Sequence, residues 1–117
     1  MSAVQILEDD HIENNIVELH RHEADLWVCL SGEVTFQVGG KMPGMYAKKL
    51  PDGGTDDREM KSETIEGAET YVAREGDTLW IPAGVPHVHN TKTNARLFVI
   101  KIPQELVPLA TALVRNG

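Results

Sequence analysis

Apolar and polar residues alternate with a period of two along much of this chain. In "ENNIVELHRH", residues 13–22, Ile16, Glu18, His20 and His22 fall on one face, and Val17, Leu19 and Arg21 on the other. That is the period of a β-strand. "DLWVCL", residues 25–30, is a nearly continuous apolar run, as in a strand buried on both faces. Ser31-Gly32 reads as a turn. "EVTFQV" then alternates again, with Val34, Phe36 and Val38 together, and Gly39-Gly40 ends it. Farther on, "TYVAR", "TLWIP" and "ARLFVIKIP" are short strand-like runs separated by "EGD", "PAGVP" and "NTKTN". Many short strands with close turn signals predict an all-β sandwich, jelly roll or barrel.

Two segments break the pattern. Residues 41–69 hold Pro43, Pro51, four glycines and the charged run "DDREMK". They read as a long insertion loop, either solvated or a lid over a pocket, with "MYAKKL" as a possible extra strand inside it. In the tail "QELVPLATALVRNG", Leu106, Leu109, Ala110 and Leu113 have helical spacing. A short C-terminal helix is expected there, with Pro108 in its first turn.

The 117 residues suit one domain, 1–117. A net charge of −7 opposes phosphate backbones, so nucleic acid is not an expected partner. No apolar stretch approaches a membrane span, so no membrane partner is expected. "MSAVQILEDDHIENN" lacks the basic start and apolar run of a signal peptide. The one cysteine, Cys29, cannot form an internal disulfide, which fits a reducing compartment. A cytoplasmic location is expected.

The chemistry lies in the histidines. On a regular strand His20 and His22 project together and can grip one ion. Neutral imidazole is a good ligand for divalent transition metals. Asp25 can return to the site at the start of the next strand, and Glu23 is the competing carboxylate. Far along the chain, "GDTLWIPAGVPHVHN", residues 76–90, delivers His87 after a Pro-Gly turn. If the two segments pair in a closed sheet, His87 completes three histidines and one carboxylate, with positions left open on the metal.

These two segments resemble the two signature motifs of the cupin superfamily. His20, His22, Asp25 and Gly32 match the first motif, about residues 14–32. Gly76, Pro82, Gly84 and His87 match the second, residues 76–90, with every spacing correct. The chain departs in five places, one being the 43 residues between Gly32 and Gly76, long for a small cupin. Asn14 stands where the first glycine falls, and only Glu23 and Ala24 separate His22 from the carboxylate. That carboxylate is Asp rather than Glu, and Asn90 comes one position early. Three arrangements stay open: Asp25 on the metal, Asp25 reaching it through water, or a three-histidine site.

The resemblance implies a double-stranded β-helix, the jelly-roll cupin barrel, that pairs as a homodimer. It also implies one divalent transition metal. Fe(II) is favoured, and Zn, Mn, Ni or Cu are compatible. The expected function is a metal-dependent enzyme, a dioxygenase first, acting on a small polar metabolite. An isomerase, decarboxylase, lyase or non-catalytic ligand-binding cupin is the alternative. His89 and Trp27 are the further pocket candidates, His89 as a base or substrate contact and Trp27 as a ring-stacking wall. Cys29 is expected as a small buried apolar residue. Trp80 suits either layer. Lys101 and Arg96 could hold a substrate carboxylate but are expected at the surface, as is His11.

Overall fold

In a computed structural model, residues 3–109 are described. They form eight strands: β1 (Val4–Ile12), β2 (Val17–His20), β3 (Glu23–Val38), β4 (Tyr46–Lys49), β5 (Thr55–Ser62), β6 (Glu69–Arg74), β7 (Thr78–Ile81) and β8 (His87–Pro103). All the strand pairings are antiparallel.

The long strands β3 and β8 build the barrel, because each runs through two sheets. The first half of β3 pairs with the second half of β8, Glu23 against Pro103 through Cys29 against Leu97. Here β1 and β7 flank them. The second half of β3 pairs with the start of β8, Thr35 against Asn90 through Val38 against His87. Here β6 lies beside β3, and β2 beside β8. β5 and then β4 extend the sheet beyond β2. Ser31-Gly32 is therefore not a chain-reversing turn. It is a bulged corner within β3, where the register against β8 slips at Cys29/Ser31 and again at Gly32/Thr35. Gly32 has φ 78°, and a Cβ there would stand 2.1 Å from the Asn94 carbonyl oxygen. Only glycine lets the two bent strands approach so closely. "NTKTN" is likewise no separator, since β8 passes straight through it.

The expected faces of β2 are present. Val17 and Leu19 are buried in an apolar cluster with Met42, Met60 and Val88. Glu18 and His20 point the other way, into a cavity. The main core is Trp27, Cys29, Val34, Phe36, Ile81, Leu97 and Val99, contributed by the inward faces of both sheets. Cys29 is 2% exposed, and burial pushes its thiol up. Trp80 is 46% exposed and so faces outward.

Residues 41–69 are not a simple loop. β5 pairs with β2, Val17 against Ser62 through His20 against Glu59, and so makes the wall beside His20. The acidic N-terminal stretch is also a strand, β1, largely exposed at the edge of its sheet. Residues 104–108 have no regular secondary structure, and the rest of the predicted C-terminal helix, 110–117, lies outside the described residues. Among the described residues no helix is long and apolar enough to cross a membrane.

Candidate metal centre

The second motif sets His87. Gly84 takes φ 82°, and Val107 packs directly against its Cα side. Pro82, Ala83 and Gly84 then turn the chain into β8, which starts at His87. His87 Nδ1 lies 3.0 Å from the Val85 carbonyl oxygen, to which it donates. That bond leaves Nε2 as the free lone pair. The ring is buried, and burial, followed by the nearby His20, pushes its pKa down to about 4. His87 is therefore neutral at pH 7, the form that binds metals.

His20 comes from the end of β2, beside the start of β8, with Glu18 paired to His87 across the two strands. The His20 and His87 ring centroids are 5.1 Å apart. Glu18, His20 and His87 each offer a ligand atom within 4.8 Å of the others. Asp25 closes the group from β3. Its Oδ2 is 3.5 Å from His87 Nε2 and 3.8 Å from His20 Nε2. Asp25 is 1% exposed.

The donor set fits a divalent cation. His20 Nε2 and Asp25 Oδ2 are both buried and have no hydrogen-bond partner among the described residues. Buried polar atoms left unpaired are costly, and a cation bound by both would satisfy them together. Two imidazoles and two carboxylates suit zinc, iron, manganese or nickel alike.

His22 lies to one side of this group. β2 stops at His20, and the next two residues bend. Three backbone bonds hold that bend: Gly84 donates to the His20 carbonyl at 2.7 Å, Val107 to Arg21 at 2.8 Å and Gln104 to His22 at 2.9 Å. Arg21 Nε adds a bond to the Val107 carbonyl at 2.9 Å. The two-residue period that would align His20 with His22 is broken, and their rings stand 6.5 Å apart at 79°. His22 Nε2 instead approaches Glu23 Oε1 at 3.3 Å. Glu18, which shares the alternating face with His20, stands nearer the ligand cluster than His22. That alternation was the signal for it in the sequence. Glu59, 3.0 Å from His20 Nδ1, carries no such signal, because it arrives from β5.

Each nearby carboxylate has a lysine. Lys61 Nζ donates to Glu18 at 3.0 Å, Lys48 approaches Glu59 at 3.0 Å, and Lys101 Nζ donates to Asp25 Oδ1 at 2.8 Å. Burial works to raise the Glu18 pKa, but Lys61 and the neighbouring imidazoles outweigh it and hold the carboxyl below its usual range. Glu59 is held low chiefly by the His20 ring, with Lys48 adding to it. Lys101, expected at the surface, is thus a half-buried partner of Asp25, whereas Arg96 is exposed and pairs with Glu8.

A cavity of about 180 Å³ opens from the cluster into the barrel. Trp27 and His89 form its far wall, with ring centroids 5.0 Å apart. His89 Nδ1 lies 2.8 Å from Asp9 Oδ2 of β1. An outer chamber of about 340 Å³ shares Glu18, His20 and Lys101 with the inner cavity, and His22 and Glu23 line it. His11 is exposed and far from both.

No family model matches the sequence, and no curated protein matches it. Solved structures do resemble it. BH2720 from Bacillus halodurans has a TM-score of 0.53 at 18% identity, over 89% of this chain and 64% of its own. A recombinant oxalate oxidase in complex with glycolate has a TM-score of 0.52 at 19% identity, over 90% of this chain and 44% of its own. Hydroquinone 1,2-dioxygenase from Sphingomonas sp. TTNP3, with 4-hydroxybenzoate bound, has a TM-score of 0.56 at 10% identity, over 97% of this chain and 68% of its own. The chain thus spans 44% to 68% of the length of these structures. Likeness at this level concerns architecture alone, and it agrees with the jelly-roll barrel that the two motifs imply.

Proposed function

We propose that this protein is a metal-dependent enzyme that oxidises a small polar metabolite with dioxygen, as a dioxygenase. The observation that carries the reading is the meeting of two buried imidazoles with a buried, unpartnered carboxylate oxygen at the end of a small cavity. Glu18, His20, Asp25 and His87 would hold the metal, with Fe(II) the first choice. Once bound, the ion supplies Lewis-acid and one-electron chemistry at its open positions.

The chain's own residues do the rest. The His87 Nδ1–Val85 bond fixes the tautomer that presents Nε2. Lys101 commits one Asp25 oxygen and leaves the other for the ion. Trp27 and His89, backed by Phe36 from the core, form an aromatic wall that limits ligand size and keeps bulk water away. Among the structural neighbours, an oxidase and a dioxygenase lend support to oxygen chemistry, but a shared fold does not choose a reaction.

Oxygen uptake by Fe(II)-loaded protein against a panel of small hydroxy, keto and phenolic acids tests the reading. Substrate-dependent uptake with label from ¹⁸O₂ in the product supports it. Turnover without oxygen would instead indicate an isomerase or lyase. Metal-independent ligand binding without turnover would indicate a binding protein.

A further inference from the structure

We propose that Lys101 is the anchor for a carboxylate on the substrate, so that the cavity takes a small monocarboxylic acid. This deepens the reading above and rests on it. Lys101 lies on β8, next to Asp25 of β3, with which it is in register. Its side chain is only 13% exposed. It borders both the inner cavity and the outer chamber, at the seam a ligand would cross. An ammonium has three donors. Among the described residues one of these goes to Asp25 Oδ1 at 2.8 Å, while Glu23 Oε2 stands off at 3.8 Å. The remaining donor capacity is available to an incoming carboxylate.

One ammonium at the seam matches one carboxylate. Size agrees: about 180 Å³ is well under the ~300 Å³ at which pockets for larger ligands begin.

The test is calorimetric titration of Zn(II)-loaded wild type and Lys101→Met with acetate and with acetamide, which has the same number of heavy atoms but no charge. Zinc affinity is measured first on both proteins. The expected result is acetate binding to the wild type that is at least about tenfold weaker in Lys101→Met when both proteins are saturated with zinc, apart from any loss of zinc affinity that freeing Asp25 brings. Acetamide binds neither. Equal acetate affinity in the two proteins, or none in the zinc-loaded wild type, overturns the anchor and leaves the metal centre standing. Failure of zinc to bind overturns both. If Lys101→Met does not fold, the Lys101 ε-ammonium resonances of zinc-loaded wild type decide. They shift with acetate and not with acetamide, and an absent shift at high acetate overturns the proposal.

Discussion

Asp25 is divided between two partners: Oδ1 accepts a hydrogen bond from Lys101 at 2.8 Å, and Oδ2 lies 3.5 Å from His87 Nε2. A carboxylate held on one oxygen by a fixed ammonium is a pre-oriented ligand through the other. Asp25→Asn keeps the shape and removes the charge. Zinc affinity is expected to fall by more than the roughly 10- to 100-fold that loss of an outer partner costs. Calorimetry with a competing chelator measures it, and an unchanged affinity would move Asp25 out of the ligand set.

Glu18 and His22 exchange the importance that the motif alone would give them. Glu18→Gln is expected to weaken zinc strongly, since Glu18 belongs to the ligand cluster. His22→Ala is expected to cost less than Glu18→Gln, and no more than about 10- to 100-fold, because its ring lies to one side of the Glu18, His20 and His87 group. The same chelator competition reads both, and the opposite order would restore the three-histidine arrangement.

His87 makes the metal-free protein sensitive to acid. Its native pKa is about 4, pushed down by burial and His20, against about 6.5 in the unfolded chain. Between those values the unfolded chain binds a proton that the native state refuses. Stability is therefore full above about pH 6.5 and is lost as pH falls toward 4. Urea midpoints of wild type and His87→Asn across that window isolate the effect. Wild type should lose stability more steeply than the variant, and parallel curves would contradict the assignment.

Gly32→Ala tests the corner of the barrel. The new methyl would meet the Asn94 carbonyl oxygen at 2.1 Å on a backbone with positive φ. A loss of at least about 2 kcal/mol is expected from the denaturation midpoint. Gly53→Ala shares the positive φ but meets no atom within 4 Å, so it should lose less.

Much of the fold was legible in the sequence because alternation reports which face of a strand is buried. Val17 and Leu19 against Glu18 and His20 is the plainest case. The turn at Gly84 was legible because its chemistry is local. What escaped was set by distant partners. Ser31-Gly32 has turn residues, yet its pairing with β8 makes it a bend within one strand. β5 is dense in charge over "DDREMK", where Asp56, Arg58 and Glu59 line a polar chamber, so its strand character was hidden. β1 is an exposed edge with little apolar alternation. His22 aligns with His20 only where the strand continues past His20. Bonds from Gly84, Gln104 and Val107, more than 60 residues away in sequence, bend it instead. Lys101 reads as a surface cation until β3 brings Asp25 to it.

The most direct measurement is the metal content of protein purified without chelator or an affinity-tag metal, then saturated with Fe(II) or Zn(II) and desalted, for wild type and for His20→Ala/His87→Ala. The account predicts one divalent ion per chain in the wild type and none retained by the double variant. A wild type that retains no metal, or a double variant that keeps a full equivalent, would contradict it.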